Sequence, residues 1–380
     1  MKFFKNILLP ILLLIAQLNF AQEEISLNGN WEIVFDHDNE GGQSMWHQNE
    51  VFQKLEDKRK IKVPGSWELI EKDYEGVAFY RYAFTVPENW EGKVVRLQFD
   101  AVNYLSEIWL NNEVVGYHEG GFTPFEFRVD NMIQAGKENI LTLRVVGPII
   151  LSDKNIDGVG ALQTPQWRGG ISGGIWQNVR LVSSGNSYIK DVFVEPSIND
   201  NTATFHLTLD HTAIKSEQIE VEIRLKEAVN KENKVASHSE LLKLQPGLNH
   251  HKVVVQIPDA QYWSPNDPFL YQATVSLKNQ QKISDDWHHR FGLRALTIKD
   301  QDFYLNEKRI YIKATFFEGL YPNGIAHPDS EEMARKEIRL AKEAGFNMIR
   351  PWRHPMPPMW LDLADEMGVM VVGSPALECM

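Results

Sequence analysis

Apolar and polar positions alternate in short runs along most of this chain, and from about residue 309 the rhythm lengthens. Val94-Val-Arg-Leu-Gln-Phe99 and Glu107-Ile-Trp-Leu110 read as strands. Between Leu110 and Val114, the pair Asn111-Asn112 predicts a tight hairpin turn, because asparagine tolerates the positive φ such turns demand. Residues 139–145 and 175–182 predict further strands, so the stretch 22–184 reads as a β-sandwich or jelly roll. A second all-β unit follows over 185–292. There Ile219, Val221, Ile223 and Leu225 alternate with Glu220, Glu222 and Arg224, which puts one face in a core and the other in water. With residues 251–257 and 270–277 this predicts roughly seven strands in about 100 residues, the size and pattern of an immunoglobulin-like sandwich.

Beyond residue 293 the pattern becomes strand, helix, strand. Arg309-Ile-Tyr-Ile-Lys-Ala-Thr-Phe316 predicts a first strand, and Tyr321-Pro-Asn-Gly324 its exit loop. Asp329 with Glu332 predicts a capping box for a helix running to Gly345. Ala334, Ile338 and Ala341 form its apolar stripe, with Arg335, Lys336, Arg339, Lys342 and Glu343 facing away. Residues 346–349 predict a second strand. Pro357-Pro358 opens a second helix over 359–366, Gly368 closes it, and residues 369–372 are an apolar run suited to a parallel strand buried on both faces. The expectation is a multidomain, mostly β chain that ends in the first three strands of a (β/α)8 TIM barrel over 293–380, short of the roughly 250 residues a closed barrel needs.

Composition narrows the setting. With 380 residues, 43% of them hydrophobic and 24% charged, the chain can build globular cores. A formal net charge of -12 argues against nucleic acid and anionic lipid as partners, since both select basic surfaces. Met1-Lys-Phe-Phe-Lys5, the apolar residues 7–16 and Asn19-Phe-Ala21 predict a secretory signal peptide over 1–21, and hence a periplasmic or secreted protein with no membrane contact after cleavage. Cys379 is the single cysteine, so no intrachain disulfide and no lipid-attachment cysteine are expected. Without clustered His and Cys no zinc site and no cofactor is expected, and no acidic loop is dense enough to propose calcium ligands. Gly169-Gly-Ile-Ser-Gly-Gly174 lacks the lysine and following helix of a phosphate loop and reads as a turn between Trp167 and Trp176. Trp31, Trp109 and Trp176, in or beside strands, read as packing residues.

Leu27-Asn-Gly-Asn-Trp31, Val63-Pro-Gly-Ser-Trp67, Tyr80-Arg81, Trp109-Leu-Asn-Asn112, Val115-Gly116, Gly120-Gly-Phe-Thr-Pro-Phe125 and Gly173-Gly-Ile-Trp176 together resemble glycoside hydrolase family 2, in the order of its amino-terminal sugar-binding jelly roll. Trp263-Ser-Pro-Asn-Asp-Pro268 and Phe291-Gly-Leu-Arg294 are similar to the segment that leads from that family's second sandwich into its barrel. Asn347-Met-Ile-Arg350-Pro-Trp-Arg-His354 resembles the family's second-strand motif, which implies that Arg350 helps order a sugar pocket. The family places histidine three residues after that arginine. Arg353 holds this position here and His354 follows it. At the first strand exit, Phe316, Phe317 and Glu318 stand where the family carries asparagine and histidine, giving a more apolar wall and a carboxylate able to accept hydroxyl hydrogen bonds.

The resemblance implies an exported enzyme hydrolysing β-glycosidic bonds in oligo- or polysaccharides with retention of configuration. Arg350, His354, Glu318 and Trp352 are its candidate substrate-binding residues. Trp167 and Arg168 join Trp352 as side chains able to stack on or clamp a sugar ring. Retaining hydrolysis needs a carboxylic acid and a carboxylate nucleophile about 5 Å apart. The family places these glutamates at the fourth and seventh strands, and none is assigned here: Asn49-Glu50, Asn112-Glu113 and Asn306-Glu307 all precede the predicted first barrel strand at Arg309 and read as turns. The competing readings are a non-catalytic carbohydrate-binding or scaffold protein, and one chain of a split glycosidase whose partner completes the barrel. The chain by itself is therefore expected not to turn over β-glycosides. A panel assay checks this, and turnover abolished by substitution within residues 309–380 would overturn it.

Overall fold

The computed structural model describes residues 23–160, 172–230, 232–280, 282–325, 327–351 and 355–373. The signal-peptide reading of residues 1–21 lies outside them, as do Trp167, Arg168, Trp352, Arg353, His354 and Cys379.

Residues 23–184 form two facing antiparallel sheets, one of four strands and one of six. The predicted turn at Asn111-Asn112 has φ of 54° and 69°, and it joins Leu105–Leu110 to Glu113–Glu119. Between the sheets lie Leu27, Trp31, Trp67, Tyr80, Phe99, Ile108, Leu143 and Leu181. The strand Val77–Thr85 is apolar on both faces for a visible reason. Ala78 and Tyr80 enter this core, whereas Val77 and Phe79 meet Val34, Phe52 and Ile149 on the outer side of the six-stranded sheet. Strict alternation fails wherever a sheet is covered twice.

The next seven long strands make sheets of three and four. Ile219, Val221, Ile223 and Leu225 are all fully buried between them, as their alternation predicts. Trp31 is buried too, with its indole N–H donating to Leu27 O at 2.8 Å.

The last region corrects the expected first strand. Residues 309–316 are not one element: Lys308–Ile310 pairs antiparallel with Asp302–Leu305, and the first parallel strand is Ala314–Phe317. A tight turn at Asn306 and Glu307, both at positive φ, commits the earlier half to a local hairpin. Ala314–Phe317, Met348–Pro351 and Met370–Val371 then form a parallel sheet in sequence order, with helices Glu331–Glu343 and Pro358–Met367 in the connections. Ser330, rather than Asp329, caps the first helix: its Oγ accepts from Met333 N at 3.2 Å, and Asp329 instead accepts from Asn323 Nδ2 at 2.8 Å. Lys342, expected on the wet face, turns back so that its ammonium donates to Pro265 O at 3.0 Å and to Met367 O at the end of the second helix, where carbonyls carry negative potential. Gly368, at φ 72°, closes that helix, and a Cβ there would stand 2.6 Å from Pro265 O. No helix among the described residues is long and apolar enough to cross a membrane.

Trp263 joins the second sandwich to this unit. It is buried among Leu305, Met348 and Met370, and its indole N–H donates to Asp365 O at 2.7 Å. Arg290 to Glu366 at 3.0 Å and Arg294 to Asp365 at 3.3 Å flank it. The sandwich cores lie elsewhere, among residues 27–181 and 189–293. Deleting residues 300–380 is accordingly expected to leave both sandwiches melting cooperatively, at a lower midpoint because Trp263 is uncovered. Calorimetry checks this, and loss of the cooperative transition would refute it.

Candidate functional site

In an α/β unit of this kind reacting and binding groups gather at the carboxyl ends of the parallel strands. Phe316 and Arg350 are paired in register there, both exposed, and Glu318 follows the first strand into solvent. Phe317 and Ile349, one residue out of phase, turn the other way and pack against Trp360 and the helices. A pleat of period two thus divides the run: one phenylalanine goes to the helix side and the other stands beside Arg350 on the open side. The structure brings Arg350, Phe316 and Glu318 to one strand end. His354 and Trp352 lie outside the described residues.

Three groups at this end escaped the sequence reading. Glu337, on the first helix, accepts hydrogen bonds from Tyr321 Oη at 2.9 Å and from the Trp360 indole. Burial holds its carboxyl above the usual range, while both hydrogen bonds work the other way. The Tyr321 hydroxyl is likewise pushed up, by burial first and then by the Glu337 charge. This triad fastens the loop after the first strand onto both helices. Its signal was available: Glu337 sits within the stripe of Ala334, Ile338 and Ala341 at helical spacing, where a carboxylate needs a partner.

The same loop reaches the first sandwich. His327 stacks on Trp176 with ring centroids 5.6 Å apart, and burial holds its imidazole below the ordinary histidine range. Trp176 is indeed buried, its indole N–H bonded to Gly121 O at 2.7 Å, so it serves both as packing and as a platform. Trp109 is half-buried and stacks on His47 at 4.6 Å. A cavity of about 290 Å³ lies beneath the His327 loop, between Ser66 and Leu69 of the sandwich and Asn323 and Asp329 of the loop. Beside it, Glu68 accepts the Gly173 N–H at 3.0 Å and hydrogen-bonds Ser66. Gly173 must be glycine, since a Cβ would stand 2.4 Å from the Trp67 ring. No cluster of three metal-ligating side chains occurs among the described residues.

Burial pushes the Glu68 carboxyl up to about 7, against the lowering effect of its hydrogen bonds. Its unfolded value is about 4.3, so the folded state holds the proton more tightly. Its contribution to stability is therefore complete below about pH 4 and falls as pH rises toward about 7. Glu68→Gln is expected to flatten that slope and raise the melting midpoint by about 2 °C or more above pH 7. Thermal melts of both proteins from pH 4.5 to 8 check this, and parallel pH profiles would contradict it.

The family model described as "Glycosyl hydrolases family 2, sugar binding domain" matches residues 25–184, and "Glycosyl hydrolases family 2" matches residues 187–294. A beta-galactosidase of Thermoanaerobacter pseudethanolicus is 30% identical over 352 residues, spanning 91% of this chain and 44% of the relative. A beta-glucuronidase of Paenibacillus borealis is 24% identical over 378 residues, spanning 93% and 59%. The solved β-glucuronidase of Ruminococcus gnavus superposes with TM-score 0.77 at 19% identity, over 94% of this chain and 60% of that one. The chain spans about half the length of the curated relatives it matches.

Proposed function

The chain belongs to the glycosyl hydrolases of family 2, and from that premise we propose that it forms the amino-terminal, sugar-engaging part of an exported enzyme that hydrolyses β-glycosidic bonds with retention of configuration. The observation that carries this reading is the register pairing of Arg350 with Phe316 at the carboxyl ends of parallel strands, with Glu318 on the loop that continues to His327 and Trp176. The alternation of parallel strands and helices over residues 314–371 supports its reading as the opening of a (β/α)8 barrel.

The residues suit a hexopyranoside of the kind named in the relatives, a β-galactoside or β-glucuronide. Arg350 presents a planar set of donors to ring hydroxyls or a uronate carboxylate, and Glu318 accepts from hydroxyls. Phe316 offers its face to the apolar C–H side of the ring. Such contacts hold the glycosidic bond where an acid and a nucleophile about 5 Å apart can act on it. In the family those two glutamates stand on the fourth and seventh strands, and the part proposed for Arg350, Phe316 and Glu318 is the binding and orientation of the sugar. The basic start and apolar core of residues 1–21 support export.

Methyl β-galactoside and methyl β-glucuronide are expected to bind the chain, and Arg350→Ala to weaken the better ligand about tenfold, near 1.4 kcal/mol, with the melting midpoint unchanged. Titration calorimetry reads both. Affinity that is equal in the variant would overturn the assignment of the strand-end site.

A further inference from the structure

The Glu337 carboxylate ties three elements together through one oxygen. It stands on helix Glu331–Glu343, and its Oε1 accepts from the Tyr321 hydroxyl on the strand-exit loop and from the Trp360 indole on helix Pro358–Met367. Both donor residues are enclosed, Tyr321 at 8% and Trp360 at 0% exposure. A buried phenol and a buried indole each need an acceptor, and here a single carboxylate serves both.

The same two rings are the seat of Phe317. Its ring lies 6.1 Å from Trp360 between centroids, with planes at 24°, and 6.1 Å from Tyr321 at 59°. Phe317 stands between Phe316 and Glu318, both exposed, so where it settles sets where its two neighbours project from the strand end. Packing alone leaves this seat open on one side, because a cavity of about 230 Å³ bordered by Phe317, Glu337 and Trp360 adjoins it. If either ring turns, Phe317 has room to tip toward that space. The hydrogen bonds to Glu337 hold both rings against turning.

We propose that Glu337 is a positioning residue of the strand-end sugar site: by holding Tyr321 and Trp360 as the seat of Phe317, it fixes the directions in which Phe316 and Glu318 meet the sugar. The proposal rests on the strand-end reading given above. Glu337 acts through Phe317 and not by touching the sugar, and the task asked of it is hydrogen-bond acceptance. Glutamine offers the same carbonyl oxygen at the same reach, whereas alanine offers none.

The test compares the full chain with its Glu337→Ala, Glu337→Gln, Tyr321→Phe and Arg350→Ala variants. Calorimetric titration with methyl β-galactoside and methyl β-glucuronide reads affinity, and hydrogen–deuterium exchange of the sugar-free proteins reads protection over residues 314–325. Glu337→Ala is expected to weaken the better ligand about fivefold, the order set by re-ordering side chains on binding, and to lose that protection. Glu337→Gln is expected to restore both. Tyr321→Phe, which keeps the ring and removes one donor, falls between, and it decides the matter should Glu337→Ala fail to fold. Wild-type affinity in Glu337→Ala or in Tyr321→Phe, or a Glu337→Gln as impaired as Glu337→Ala, overturns the proposal. Arg350→Ala separates the two claims. Affinity lost there but kept in Glu337→Ala overturns the positioning role alone, whereas affinity kept in Arg350→Ala overturns the strand-end site and the positioning role with it.

Discussion

The arrangement of this molecule depends on burying Trp263 at the joint between the second sandwich and the parallel-strand unit. Its ring is enclosed by Leu305, Met348 and Met370, the Arg294 guanidinium lies over it at 4.9 Å, and its N–H is used by Asp365 O. Asn306 Nδ2 donates back to Trp263 O at 3.0 Å. An indole with its one donor satisfied and both faces covered fixes orientation as well as proximity, because sliding would expose apolar area and strand a buried donor together. Modules with separate cores would otherwise move relative to one another by default.

That fixed joint makes a composite site feasible. The strand ends carrying Phe316 and Arg350 belong to one module, and Trp176, on which His327 stacks, belongs to another. The loop between them has two anchors, the Tyr321–Glu337–Trp360 triad at its root and the His327–Trp176 stack at its far end. A binding residue on a loop is useful only if its support is stiff. At the root the stiffness comes from the Glu337 carboxylate accepting from Tyr321 and Trp360, and at the far end from ring stacking, while inside the first sandwich Glu68 accepts the Gly173 N–H.

The seam between the sandwiches follows another logic. Arg96 and Asp285 are deeply buried, yet their contacts are long and incompletely paired. Desolvation of such a pair offsets much of its attraction, so it is poor evidence for stability alone.

Local pattern carried much of the architecture. The period-two runs around Ile219 and Val221, the Asn111-Asn112 turn and the helix closed by Gly368 are set by side-chain spacing and backbone preference within a few residues, and they appear as expected. The same local logic failed at residues 309–316, where an apolar run had no internal mark of its division between a hairpin and a parallel strand. At the strand ends, Arg350 and Glu318 were legible from motif and position. Glu337, His327, Arg96 and Asp285 were not singled out, since what distinguishes them is burial against partners 16 to 189 residues away. By itself the sequence determined which segments are strands or helices and which family they resemble, because those are properties of neighbours along the chain. Only the tertiary structure decided which charged and aromatic side chains meet, because desolvation and hydrogen-bond partnership exist only between surfaces that folding has brought together.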